Sequence, residues 1–381
     1  MKIVVVAGAR PNFVKIAPLM RALAAAREQR HGSLEWRLVD TGQHYDEAMS
    51  AALFRDLEIP RPDCALRVGS GSHAAQTAAA LTAFEAVLVA ERPDAVVVVG
   101  DVNSTLACAV AAVKLGIRLA HVEAGLRSFD RRMPEEINRV LTDAVADFLF
   151  TTEDDANQNL RREGIAADKI FFVGNVMVDA LRWAQRSARR SAILEALGLQ
   201  DQRDGFVLVT LHRPSNVDTR EALAGFVDVF TQLAHDVPVI FPAHPRTRAR
   251  LEQFRLTSAT QAVSLGSPRA PLQRGRVTLL DALPYVDCLR LLGAARVVLT
   301  DSGGVQEETT CLGVPCVTLR ETTERPITVH AGTNVIAGTD PQSALRHARH
   351  ALATPPRGVD TPPLWDGHAA ERIVATLLDR L

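Results

Sequence analysis

The sequence predicts two doubly wound α/β domains of similar size, and three observations carry that prediction. Short β-branched apolar runs alternate with longer helical patterns almost from end to end, the rhythm of repeated βαβ units. Some runs are apolar throughout, as in Ala95-Val96-Val97-Val98-Val99, which suits strands covered on both faces of a parallel sheet. The length of 381 residues also exceeds what one domain of roughly 150 residues holds.

In the first half, strands are expected at 3–7, 36–40, 95–99, 119–122, 148–151 and 170–173, with helices at 14–27, 76–90, 106–114 and 135–145. A second series follows at 206–210, 237–241, 277–280, 297–300 and 316–319. Between the series, 187–204 is rich in Arg, Asp and Gln and is expected to be the hinge. This gives an N-terminal domain at 1–187, a C-terminal domain at 188–365, and a helix at 366–381 that crosses back to the first. The Gly-, Pro- and Arg-bearing stretch 264–275 is expected on the surface. The two domains are expected to face each other over a cleft.

Composition excludes several classes. Hydrophobic residues make up 47%, and 43 basic residues nearly balance 44 acidic ones, which argues against disorder and against a polybasic nucleic-acid binder. Five scattered cysteines lack CxxC spacing and read as small hydrophobes in a reducing cytoplasm. The N-terminal apolar run stops at Gly8, too soon for a signal peptide. No window approaches the roughly 18 apolar residues of a membrane span, so no membrane partner is expected.

The strongest loop signal is Thr300-Asp301-Ser302-Gly303-Gly304, between a strand and a helix that continues through Glu307 and Glu308. Free N–H groups at a helix start attract phosphate, although Asp301 or Ser302 as an ordinary N-cap explains the same residues. Glu308 stands where it reaches a ribose. GxGxxG and GxxxxGK[ST] are both absent, so dinucleotide and P-loop sites have no support. Arg10 and Lys15 follow the first strand, at the end of the sheet where α/β ligands bind. Asp101 and Glu123 stand just past two further strands, and Glu135 and Glu136 open a helix after Pro134. His212 and His244 follow strands of the second domain. Carboxylates facing a diphosphate cradle suit acid–base work on a nucleotide-linked substrate, and no metal-ligand cluster is spaced for hydrolysis.

With these residues in view, the chain resembles the non-hydrolysing UDP-N-acetylglucosamine 2-epimerases over nearly its whole length. The resemblance rests on Gly8-Ala9-Arg10-Pro11-Asn12, Thr41-Gly42-Gln43-His44, Gly100–Thr105, His121–Arg127 with Pro134–Arg139, Asp301–Glu308 and Thr322–Pro326. It implies a glycosyltransferase-B-like pair of Rossmann-like domains, a homodimer, and no NAD or other cofactor. It also implies that Asp101, Glu123 and Glu135 are the catalytic acids and that His212 steadies leaving UDP. Arg10, Lys15, Ser302, Gly303, Gly304, Glu308 and Arg325 would bind the nucleotide, with Tyr285 beside the uracil and His244, Gln43 and His44 lining the site. In part of the family a second nucleotide-sugar activates the enzyme through glutamines. Asp46 stands at one of those positions and can only accept hydrogen bonds, so no such requirement is expected. Relatives acting on UDP-2,3-diacetamido-2,3-dideoxyglucuronate carry similar motifs, and Arg131 or Arg132 could meet a sugar carboxylate. A UDP-sugar glycosyltransferase of the same fold is the remaining alternative.

Overall fold

The computed structural model describes residues 1–42, 47–200, 205–263, 272–354 and 361–381, with side chains undescribed at 47–51. Gln43, His44 and Asp46 therefore lie outside the described residues, as does most of the expected surface loop at 264–275. The chain forms two compact units, Met1–Trp183 with Pro362–Leu381, and Ala184–Thr361.

The first unit holds a parallel sheet of β1 (Lys2–Ala7), β2 (Glu35–Asp40), β3 (Cys64–Ala65), β4 (Ala95–Val99), β5 (Arg118–Ala124), β6 (Phe148–Thr151) and β7 (Ile170–Phe172). Its order is β3-β2-β1-β4-β5-β6-β7. The chain winds outward from β1, then returns to lay β4 on β1's other side. Strand order reverses there, and ligands of doubly wound sheets bind at the carboxyl ends beside such a reversal. All five residues of β4 are buried, as a strand with both faces covered requires.

The second unit repeats the plan with β8 (Val207–Thr210), β9 (Val239–Pro242), β10 (Thr260–Ala262), β11 (Val277–Leu280), β12 (Val297–Thr300), β13 (Cys316–Thr318) and β14 (Asn334–Ile336). The order is β10-β11-β9-β8-β12-β13-β14, reversing between β8 and β12. Alternation divides the apolar residues between two cores. Val207, Val209, Val297 and Leu299 pack with Phe226 and Phe230, whereas Leu208 and Val298 pack with Leu291 and Leu292 on the other face, the period of two that a strand imposes.

The expected α/β class and central strands are present. The sequence reading missed β3, β10 and β14, which are two or three residues long and too short to show a periodic pattern. The first helix starts at Arg10 rather than Val14. Pro11 suits a first turn, and the Asn12 side chain accepts from the Ala9 N–H while donating to the Val99 carbonyl. The last helix, Ala369–Arg380, packs on Arg10–Gln29. Its first N–H groups, at Ala369 and Ala370, are capped by the buried Asp179 carboxylate.

One helix stands out for its apolar composition. The helix His73–Glu91 is by length and composition apolar enough to cross a membrane. Its alanines raise the average across the acidic residues that interrupt it in the sequence. It packs against the helix Asn103–Lys114 through Ala80, Phe84 and Leu88. Of the five cysteines, only Cys108 and Cys316 are buried; Cys64, Cys288 and Cys311 are half-buried.

Candidate active site

In the first unit, the strand reversal brings the ends of β1, β4 and β5 together. Gly100 follows β4 with φ +65°, and a Cβ there would meet Lys15 Nζ at 3.0 Å and Asn12 Nδ2 at 3.3 Å. Glycine is needed for both the dihedral and the space. Glu123 is a β-bulge residue: pairing of β5 with β6 shifts register between Val122 and Ala124, and Glu123 takes φ +71°. Bulges beside active sites re-aim a side chain. Here the bulge delivers Glu123 Oε1 to Lys15 Nζ at 2.7 Å, both side chains buried. Lys15 was expected to face phosphate, and the structure sets it on Glu123. Arg10 is the half-buried first residue of its helix.

Asp101 is held by Arg139, whose Nη2 lies 2.6 Å from Oδ2, while Asn138 donates to the Asp101 carbonyl. Both partners come from the helix Pro134–Val145, whose first turn carries Glu135 and Glu136. These adjacent glutamates differ in kind. Glu136 is buried and accepts from the Ser128 N–H, the Ser128 hydroxyl, the Phe129 N–H and Arg139, so it shapes the preceding loop. Glu135 is half-buried on the same turn. Asp101, Glu123 and Glu135 thus belong to one tract of the first unit, knitted by Lys15, Asn138 and Arg139.

The helix Pro134–Val145 is inside out. It buries Glu136, Asn138, Arg139, Thr142 and Asp143 and exposes Ile137, Val140, Leu141 and Val145. An ordinary surface helix does the reverse. The amphipathic pattern is legible in the sequence, but which face is buried is not, and so Arg139 and Asp143 were passed over.

In the second unit, the reversal sets the ends of β8 and β12 side by side. Asp301, fully buried past β12, accepts from the backbone N–H groups of His212 and Arg213 and from Asn216 Nδ2. Its Oδ1 lies 2.9 Å from His212 Nδ1. Asp301 is therefore no N-cap but the group that holds His212 through Nδ1. The His244 ring lies 5.9 Å from the His212 ring, and its Nδ1 accepts from the Arg246 N–H. Ser302 is the N-cap of the helix Gly303–Leu312 and makes no side-chain cap; a helix start is where backbone N–H groups can receive an anion.

Gly303 is fixed by its surroundings. A Cβ there would lie 2.8 Å from Glu324 Oε1 and 3.5 Å from Arg325 Cζ, with Arg325 Nε 2.9 Å from Glu307 Oε1. Glu308 accepts from the Tyr285 hydroxyl at 2.8 Å. Burial, with the Glu308 carboxylate beside it, pushes that hydroxyl well above its usual range. Tyr285 therefore steadies Glu308, a contact that sequence spacing did not reveal.

Acid should test this framework. Burial raises the carboxyls of Asp143 and Asp301, but His121 and Arg127 for the first, and His212 with backbone and Asn216 donors for the second, hold both below the usual carboxylate range. A depressed carboxyl contributes stability above its unfolded value, about 4, and loses it as pH falls toward the folded value. The melting temperature should be level from pH 7 to 5 and fall steeply below about pH 4. A flat profile down to pH 3 in scanning calorimetry would contradict the assignment.

A family model described as UDP-N-acetylglucosamine 2-epimerase matches residues 26–378. The chain is similar to the UDP-N-acetylglucosamine 2-epimerase of Methanocaldococcus jannaschii, 40% identical over 383 residues and 99% of each chain. It is also similar to the UDP-2,3-diacetamido-2,3-dideoxy-D-glucuronate 2-epimerase of Pseudomonas aeruginosa, 40% identical over 385 residues and 100% of each. Among solved structures, the M. jannaschii enzyme in complex with UDP-GlcNAc and UDP superposes with a TM-score of 0.87 over 100% of both chains, at 40% identity. The Neisseria meningitidis enzyme bound to UDP-GlcNAc gives 0.85 over 100% of both, at 27%.

Proposed function

Because this chain belongs to the UDP-N-acetylglucosamine 2-epimerase family, we propose that it interconverts UDP-N-acetylglucosamine and UDP-N-acetylmannosamine without hydrolysis, supplying surface-polysaccharide synthesis. The observation that carries this reading is the tract holding Asp101 on Arg139, Glu123 on Lys15, and Glu135 one turn away from Arg139. The C2 hydrogen of the sugar is not acidic, since that carbon bears no carbonyl. Breaking the C1–O bond to UDP makes C1 cation-like, and loss of the C2 proton to a carboxylate then gives a 2-acetamidoglucal and UDP. Return of a proton to the opposite face of C2, with re-addition of the diphosphate oxygen to C1, completes the inversion. Two faces require at least two acid–base groups, and this tract offers three.

In the second unit, His212 with its Nδ1 on Asp301 directs Nε2 toward the departing diphosphate. The start of the helix Gly303–Leu312 receives the phosphates, and Glu308, held by Tyr285, takes the ribose. Arg10, Arg325 and His244 line the nucleotide. The chain's free cysteines fit a reducing compartment, and we place the enzyme in the cytoplasm.

Incubation with UDP-N-acetylglucosamine in deuterated water tests the reaction. Deuterium should appear at C2 of recovered nucleotide-sugar in both epimers, and its absence would remove the mechanism. Running UDP-2,3-diacetamido-2,3-dideoxyglucuronate alongside separates the second substrate. Arg132 is exposed and already pairs with Asp130 at 2.8 Å, so the plain sugar should have the higher kcat/KM.

The inside-out helix supports a homodimer. Ile137, Val140, Leu141 and Val145, with Val89 on one neighbouring helix and Leu115 just past the end of the other, leave apolar area that a monomer rarely exposes. A second copy of the chain supplies a matching apolar face through two-fold symmetry. Sedimentation should give a dimer for the native protein and a monomer for Leu141→Glu/Val145→Glu. A native monomer at micromolar concentration would refute this.

A further inference from the structure

We propose that His121 is a positioning residue, whose ring clamps the Gly100 carbonyl to the Asp143 carboxylate and thereby sets Asp101 and Glu123 relative to each other. The inference rests on the reading of those two carboxyls as the acid–base groups of the reaction.

His121 lies within β5, fully buried, two residues before the bulge at Glu123. Its Nε2 is 2.8 Å from the Gly100 carbonyl oxygen, and its Nδ1 is 2.6 Å from Asp143 Oδ1. A carbonyl can only accept, so Nε2 carries a hydrogen. The other oxygen of Asp143 accepts from the Gly125 N–H at 3.0 Å and pairs with Arg127 Nη1 at 2.7 Å. A carboxyl facing those donors is ionised and accepts from Nδ1 as well. Both ring nitrogens therefore donate, as only the imidazolium form allows.

Arg127 forks onto Glu163 through Nε and Nη2, so the cluster holds two carboxylates and one guanidinium. Glu163 is exposed, so Asp143 and Arg127 are the buried charged pair on which the ring is set.

The clamp reaches both acids. Gly100 immediately precedes Asp101, and its carbonyl is what His121 holds. Gly125, two residues beyond Glu123, is what Asp143 holds, so one carboxylate pins the far side of the bulge. The ring thus joins the β4 end to the β5 turn through a single hydrogen-bonded path. Displacement of a reacting group by about 1 Å costs roughly a hundredfold in rate, so the clamp should appear in kcat rather than in nucleotide binding.

The test uses two substitutions that each keep half of the clamp. His121→Gln retains a donor where Nε2 stood, and His121→Asn retains one where Nδ1 stood. The Gln variant severs the path at Asp143 and should lose kcat by about the same factor as the Asn variant. The Asn variant should lose about a hundredfold, with KM and UDP affinity unchanged in both. Either variant with native kcat, or a loss of KM and kcat together in a folded Gln variant, would overturn the proposal. Nitrogen-15 NMR of the histidine-labelled native chain at pH 7, with the Gln variant assigning the resonance, gives an answer that needs no turnover. Two protonated ring nitrogens on His121 are expected. Through-bond correlation to the backbone assigns the ring if neither variant folds; a neutral ring then overturns the clamp, and the spectrum stands if the proposed epimerase reaction itself fails.

Discussion

Asp101→Asn and Glu135→Gln should each lower kcat by roughly 10²–10⁴-fold, the range for removing a general acid or base, while UDP binds as in the native enzyme. Each substitution keeps size and hydrogen-bonding shape but removes the exchangeable proton site. In Asp101→Asn the amide oxygen can still accept from Arg139, so the contact between β4 and the helix Pro134–Val145 should survive. The UDP residues proposed here lie mostly in the other unit, and calorimetric UDP affinity should therefore hold. Loss of deuterium incorporation at C2 in parallel with kcat would tie the effect to proton transfer. Native turnover in either variant would remove that residue from the chemistry.

The second large effect is expected at Asp301, which the motif reading treated as a loop or capping residue. Asp301→Asn places an amide where the His212 and Arg213 N–H groups, Asn216 Nδ2 and His212 Nδ1 all converge. One side of that amide is itself a donor, so at least one of these contacts is lost and the His212 ring is no longer held with a hydrogen on Nδ1. Loss of a carboxylate that fixes a histidine tautomer costs up to about 10⁴-fold in kcat. The rate of the elimination step should fall far more than substrate affinity, in contrast to His244→Ala, which removes an exposed neighbour. A kcat within threefold of native (about 0.65 kcal/mol of barrier) would show that His212 does not act through Asp301.

Much of this was legible before any coordinates. The apolar β4 run and the repeated strand–helix rhythm carried the α/β class, and residues just past strands carried the candidate acids, because a parallel sheet gathers its strand ends on one edge. Pairings were less legible. That Lys15 meets Glu123 depends on a bulge whose positive φ falls on a non-glycine residue, and local propensity disfavours such a conformation. That Asp301 serves His212 depends on β8 and β12 lying side by side although some 90 residues separate the partners. The inside-out helix is the opposite case. Its pattern is plain in the sequence, but the usual expectation of an apolar inner face conceals it.

The bulge at Glu123 has a consequence for how this enzyme evolves. A glutamate in the left-handed region costs on the order of 1 kcal/mol, and its buried charge must be matched by Lys15. Glycine would relieve the strain, and an uncharged residue would relieve the need for a partner. Selection for heat resistance alone would therefore drift toward replacing a residue proposed here as one of the acid–base groups. Stability and turnover pull in opposite directions at this one position, so thermal robustness has to be gained elsewhere in the chain, in places that leave the strained glutamate untouched.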